Sequence, residues 1–195
     1  MQFTPRIQTA IDVAARCHAT HMRIGLGLPY IVHPYSVALI ASRYDESEDT
    51  FCAALLHDVI EDADGYTERM MRDEFGETIT DIVVSLTEVK HSSDTIETLR
   101  QNWEWRKQQY LDGLNRAPHQ ALIICAADSI HNLESLMQLK KLHGEKFSAS
   151  FGASMDKKMW FYGQVVERLR MLLKSSIVGQ LEHVYGRACA QIGKK

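Results

Sequence analysis

Four prolines and eleven glycines in 195 residues are too few for a collagen-like, linker-rich or low-complexity chain. The four cysteines, Cys17, Cys52, Cys125 and Cys189, stand far apart with no C-x-x-C pair, which argues against a disulfide framework and predicts reduced, buried thiols. No stretch approaches eighteen uninterrupted apolar residues, and the Met1 to Pro5 start carries no apolar core or cleavage pattern. Neither a membrane span nor a leader is expected, and the default compartment is the cytoplasm. A basic excess is missing too: 22 Lys and Arg against 25 Asp and Glu give a net charge of -3, unlike a protein that neutralises a nucleic-acid backbone. The chain contains no G-x-G-x-x-G, P-loop, G-x-S-x-G or H-E-x-x-H, so Rossmann, nucleotide-kinase, serine-hydrolase and zincin readings lack support.

What is present is an ordinary globular composition, 45% hydrophobic and 24% charged, at a length that one core serves. A single domain over residues 1–195 is expected. Ile7, Ala10, Ile11, Ala14, Ala15, His18 and Met22 recur at three and four, predicting a helix from about Pro5 to Met22. Gly25 and Gly27 break the pattern, Pro29 to Pro34 reads as a loop, and His33 then lies just before a helix over Ser36 to Tyr44. Phe51 opens an apolar helix that runs into His57-Asp58 and Glu61-Asp62. Met70, Met71 and Phe75 suggest a helix closed by Gly76, continued by Ile79, Ile82, Val83 and Leu86, and Lys90 to Asp94 is linker-like. Ile96 to Leu114 is amphipathic, with Trp103, Trp105 and Tyr110 as packing residues. Pro118 suits the first turn of a helix over Ala121 to Leu139. A polar region from His143 to Ser154 precedes helical segments over Met159 to Leu173 and Ile177 to Ile192. No convincing alternating strand occurs, so the fold class is all-α.

Two anomalies carry chemistry. At 100° per residue His57, Asp58, Glu61 and Asp62 fall within one arc of a helix, so an imidazole and three carboxylates share a face directly after an apolar run. Clustered anions there repel one another and lose hydration unless protons or a cation compensate, and a divalent metal is the economical remedy. Asp128 likewise ends the apolar run Leu122 to Ala127, with His131 and Asn132 following at i+3 and i+4. His33 offers a further imidazole. Two His and two Asp suit Mn or Fe with open positions better than a closed tetrahedral zinc site. The plainer readings are a solvated face for the His57 to Asp62 block, a satisfied structural hydrogen bond for Asp128, and a cap on the first helix for Arg23.

His57-Asp58 resembles the doublet of the HD phosphohydrolase superfamily, and the surrounding residues are similar to the hydrolase domain of RelA/SpoT-type enzymes. His18, Arg23, Pro29 to Pro34, Val37-Ala38, Ala53 to Asp62, Phe75-Gly76, and Ala127-Asp128 with His131-Asn132 follow that pattern in order, over roughly residues 7 to 140. Trp160 to Val166 is similar to small stand-alone members of metazoan SpoT-homologue type. The resemblance implies an all-helical HD-domain bundle with one Mn²⁺, or alternatively Fe, Zn or Mg, held by His33, His57, Asp58 and Asp128. It implies a Glu61-Asp62 pair that acts on the hydrolytic water, and removal of the 3′-pyrophosphate of guanosine tetra- or pentaphosphate with no synthetase segment. Arg23 and Asn132 are the candidate contacts to pyrophosphate or sugar. Ile24 and Ser129 stand where the family carries basic residues, which leaves open another nucleotide, such as NADPH at its 2′-phosphate or a nucleoside monophosphate. A non-catalytic nucleotide-binding module is the third reading. The expected partner is a small nucleotide, with no nucleic acid and no membrane, and the Met159 to Leu173 segment can serve either a core or a homodimer.

Overall fold

A computed structural model describes residues 1–63, 65–88, 95–151 and 153–192. Along the chain run α1 (Pro5–Cys17), α2 (Val32–Ala41), α3 (Glu48–Leu56), α4 (Val59–Asp62), α5 (Glu68–Val84), α6 (Ile96–Gln101), α7 (Trp103–Gly113), α8 (His119–His143), α9 (Met155–Leu172) and α10 (Ser176–Ile192). Among the described residues the only β pairing is a single antiparallel bridge between Met22 and Pro29. No helix there is long and apolar enough to cross a membrane. The linker-like Lys90 to Asp94 segment lies outside the described residues.

Helix starts are set locally. Thr4, Ser47, Thr67 and Ser154 are N-caps whose hydroxyls accept from Ile7, Thr50, Met70 and Lys157 backbone N–H groups, each cap contributing about 1 kcal/mol. Helix α8 is the axis of the molecule, with Ala121 to Ala127 buried all round. It packs against α2, α3, α9 and α10. A helix apolar on every side must be enclosed, and that enclosure brings α2 and α3 beside the segment bearing Asp128.

Several boundaries differ from the sequence reading. Helix α1 stops at Cys17, well short of Met22, because the chain reverses there. The Tyr30 amide donates to the His21 carbonyl at 2.8 Å and the Arg23 amide to the Leu28 carbonyl at 2.8 Å. Gly25 and Gly27 take up the reversal at φ 73° and 66°. Helix α2 begins at Val32, so His33 and Pro34 lie in its first turn, where the N–H that proline lacks would have had no intrahelical acceptor. The predicted Ile96 to Leu114 helix divides at Asn102 into α6 and α7. Trp105 is exposed, unlike Trp103 and Tyr110, which pack on the core. All four cysteines are free, but only Cys52 and Cys125 are buried and Cys189 is exposed.

Gly76 sits inside α5 at φ 82°, ψ 179°, and kinks the helix so that Phe75 and Ile79 both reach the core. That conformation is accessible essentially only to glycine. Gly76→Ala is expected to lower the unfolding free energy by about 1–3 kcal/mol in chemical denaturation, while Gly179→Ala, inside α10 where an added Cβ meets nothing within 4 Å and φ is ordinary, should raise it by about 0.5–1 kcal/mol.

Candidate metal centre and its cleft

Residues Cys52 to Leu56 of α3 are wholly buried and carry the chain into the core. The helix does not continue unbroken to Asp62, as the single-arc reading required. It loosens at His57 and Asp58, where Asp58 has φ -96° and ψ -5°. The Asp62 amide then donates to the Asp58 carbonyl at 2.9 Å and restarts the coil as α4. Neighbouring side chains on a regular helix diverge by about 100°. At this loosened turn His57 Nε2 and Asp58 Oδ2 lie 3.2 Å apart.

Three elements converge here. His33 on α2, together with His57 and Asp58, presents one ligand-type atom each, all within 4.8 Å of one another. His33 Nε2 is 3.5 Å from Asp58 Oδ2 and 3.0 Å from Asp128 Oδ1 of α8, and His57 Nε2 is 3.8 Å from that Asp128 oxygen. The backs of the rings are already engaged. His57 Nδ1 donates to the Ala54 carbonyl at 2.8 Å, and His33 Nδ1 shares a 2.7 Å hydrogen bond with His131 Nδ1. These contacts turn both Nε2 atoms toward the carboxylates, the arrangement that metal-ligating imidazoles adopt. His57 Nε2 is buried without a hydrogen-bond partner. An orphaned buried ring nitrogen beside two carboxylates fits a divalent cation taking the place of a proton.

Other contacts aim the carboxylates. The Tyr30 hydroxyl donates to Asp58 Oδ2 at 2.7 Å, and the Asn132 amide to Asp128 Oδ1 at 2.6 Å. Burial acts to raise the Asp58 carboxyl, but His57, His33 and the Tyr30 hydroxyl outweigh it and hold it well below the usual carboxylate range. Asp128 is lowered against its burial by its hydrogen bond to His33 and the charges around it. Burial acts to depress His57, yet Asp58, Asp128 and the Ala54 carbonyl lift it to about 9. Burial, with His33 and Arg23 nearby, pushes His131 down to about 4, so it faces His33 as a neutral ring. A pair of carboxylates that draws a proton onto a buried imidazole is a site that asks for positive charge.

The centre opens from a cavity of about 180 Å³, lined also by Glu61, Asp62, Glu88 and Ser129. Glu61 Oε2 accepts from the Glu88 amide at 3.2 Å. Beyond it lies a cleft of about 720 Å³. Tyr30, Asp62, Lys107, Asn132 and Tyr162 line both spaces, so the two are contiguous. Arg23 does not cap α1. Its Nη2 donates to Asn132 Oδ1 at 3.1 Å and to Ser135 Oγ at 3.2 Å, and its guanidinium lies 5.6 Å over the Tyr30 ring. Ile24 borders the cleft from the reversal loop and Ser129 is buried at the inner cavity.

The sequence reading left Tyr30 without a role and passed over Glu88, Lys107 and Lys158. Glu88 is a buried carboxylate ion-paired with Arg106 and Lys107. Lys107 comes from α7 and Lys158 from the first turn of α9. Both face the cleft from segments whose local pattern is that of ordinary solvated helix. Only the acid at Glu88, next to the apolar residues through Leu86, carried a signal of the kind seen at Asp128.

A family profile described as "HD domain" matches residues 10–150. Among curated relatives, a probable GTP pyrophosphokinase of Mycobacterium leprae is 34% identical over 67% of this chain and 16% of its own length. A probable guanosine-3′,5′-bis(diphosphate) 3′-pyrophosphohydrolase of Mycoplasma pneumoniae is 32% identical over 67% of this chain and 18% of its own length. The chain thus spans less than a fifth of each of these two relatives. Among solved structures, a metazoan orthologue of SpoT described as hydrolysing ppGpp superposes with a TM-score of 0.73 at 22% identity, over 99% of this chain and 98% of its own. A Listeria monocytogenes protein superposes with a TM-score of 0.65 at 23% identity, over 82% of this chain and 97% of its own. The first of these likenesses extends the shared fold through α9 and α10.

A divalent cation at a hundred times its dissociation constant is expected to stabilise the fold by about 2.7 kcal/mol, an increase in melting temperature of roughly 5–11 °C for a chain of this size. Asp58→Asn should abolish the shift. Because His57 is raised from 6.5 to about 9 in the metal-free fold, its contribution to stability is complete below pH 6.5 and is lost as pH rises through 9. A cation bound through His57 would compete with that proton, so divalent-cation affinity measured by titration calorimetry should climb over the same interval.

Proposed function

This chain belongs to the HD-domain family, and from that premise we propose that it is a Mn²⁺-dependent phosphohydrolase that removes the 3′-pyrophosphate from guanosine tetra- or pentaphosphate. The observation that carries the reading is the convergence of His33, His57 and Asp58 within 4.8 Å, at the floor of a cavity that Glu61 and Asp62 also line. The likeness to the Mycoplasma pneumoniae protein, a probable guanosine-3′,5′-bis(diphosphate) 3′-pyrophosphohydrolase, supports the choice of bond. In this reading residues 1–195 form one domain, the protein is cytoplasmic, and its partner is a small nucleotide.

His33, His57, Asp58 and Asp128 would hold the cation, which supplies Lewis acidity that makes water nucleophilic near neutral pH and offsets charge on the phosphoryl oxygens. His131 and the Ala54 carbonyl keep each imidazole in the tautomer that presents Nε2 to the centre. Tyr30 and Asn132 fix the carboxylate oxygens. Glu61 and Asp62 stand outside the ligand set, and one of them accepts the proton of the attacking water while the other orients it. The Glu88 amide steadies Glu61 for that task. Arg23, held by Asn132 and Ser135, places a guanidinium at the cleft side of the inner cavity, where it can pair with phosphate oxygens.

Purified protein with Mn²⁺ is expected to release pyrophosphate from guanosine tetraphosphate. Orthophosphate from a mononucleotide or from NADPH, with guanosine tetraphosphate untouched, would replace this substrate by another, and binding without product would make the chain a nucleotide-binding module. Glu61→Gln should keep its metal by elemental analysis and lose about 10²- to 10⁴-fold in kcat. Asp128→Asn should lose metal and turnover together. Wild-type turnover in Glu61→Gln at saturating metal would remove Glu61 from the mechanism.

A further inference from the structure

Lys158 stands in an unfavourable place for a cation. It lies in the first turn of α9 (Met155–Leu172), the end of a helix where the backbone dipole disfavours positive charge. Its ammonium is 4.7 Å from the centre of the Phe151 ring, and among the described residues no carboxylate lies within ion-pairing distance of it. Burial and the neighbouring Lys107, with a smaller contribution from Arg23, push it down to about 8 against the attraction of Glu88. Lys107 differs, since it is ion-paired with Glu88 and rests 4.5 Å over the Phe161 ring.

The cleft around Lys158 is divided in character. Among the described residues Arg23, Lys107 and Lys158 bring three cations to its lining, against Asp62 as the single carboxylate. Ile24, Leu26, Leu136 and Leu139 form an apolar side. Such a wall suits a molecule with a flat, weakly polar body and anionic groups at its edge. The inner cavity, continuous with the cleft, takes the reacting group, and Lys158 borders only the outer space.

We propose that Lys158 is a specificity-determining residue that binds the second, non-reacting phosphate group of a nucleotide phosphorylated at two positions. The anion relieves the repulsion among the three cations and supplies the carboxylate-like partner that Lys158 lacks among the described residues. The identity of the reacting bond rests on the phosphohydrolase reading, whereas anion binding by Lys158 does not. Lys158 is remote from the water-activating acids in role: it strengthens binding and leaves the chemical step alone.

The test compares the full-length wild type with Lys158→Met, which keeps a stem to pack on Phe151, with Lys158→Gln as a second neutral variant and Lys158→Arg, which keeps the charge. Calorimetric titration of the metal-free proteins with inorganic pyrophosphate should show affinity about tenfold or more weaker in both neutral variants and within about threefold of wild type in Lys158→Arg. With Mn²⁺, Lys158→Met should raise KM for guanosine tetraphosphate about tenfold or more with kcat nearly unchanged, and should not alter KM for guanosine 3′-diphosphate, which has no 5′-phosphate. Equal pyrophosphate affinity in wild type and the neutral variants, or an equal rise in KM for both substrates, overturns the proposal. If pyrophosphate binding depends on Lys158 but neither guanosine compound is hydrolysed, the anion site stands and the proposed reaction falls.

Discussion

Two carboxylates held beside two imidazoles at the end of apolar helices set the terms for the rest of this structure. Asp58 and Asp128 cannot remain ionised in such surroundings without positive charge close by, because desolvation penalises an isolated buried anion by several kcal/mol. The fold answers with His33 and His57 within 3.0–3.8 Å of the acids. The imidazoles in turn are oriented from behind by a carbonyl and a third histidine. A proton on His57 balances the cluster in part, and a divalent ion would balance it more fully, so the pull toward a cation arises from the packing itself.

That packing depends on α8. Its Ala121 to Ala127 run is buried from every side, which requires neighbours all round and draws in α2, α3, α9 and α10. One helical turn further on, Asp128, His131 and Asn132 emerge where α2 and α3 cross it, and each of the three makes a contact at the centre. Core and site are therefore one construction. The same helix also supplies Ser135 to Arg23, which links the reversal loop after α1 to the cleft.

The cleft shows a second balance of charge, opposite in sign. The inner cavity is rich in acids, while the outer walls carry Arg23, Lys107 and Lys158, each set against an aromatic ring. Ring faces stabilise ammonium and guanidinium groups without neutralising them, so these cations keep their attraction for anions. A ligand with one phosphate in the inner cavity and another in the cleft would meet complementary charge from these cations in the cleft, and in the inner cavity from a cation held by the acids. With Ile24 and Ser129 uncharged, this cationic surface comes from Arg23 of the reversal loop, Lys107 of α7 and Lys158 of α9.

Local chemistry was legible in the residues themselves: the all-helical class follows from the recurrence of apolar positions at three and four, and the family from the His57 to Asp62 block. The anomalies of acids following apolar runs drew attention to Asp58 and Asp128 because misplaced charge is visible without coordinates. Other features had no such trace. The loosened turn at His57 and Asp58, the early start of α2 that puts His33 in its first turn, the Tyr30 hydroxyl on Asp58, and the arrival of Lys107 and Lys158 at the cleft all depend on how helices cross. Periodicity reports which face of a helix is buried, a property of a few turns of chain, whereas the distance between residues 33, 58 and 128 is decided only when α2, α3 and α8 pack together.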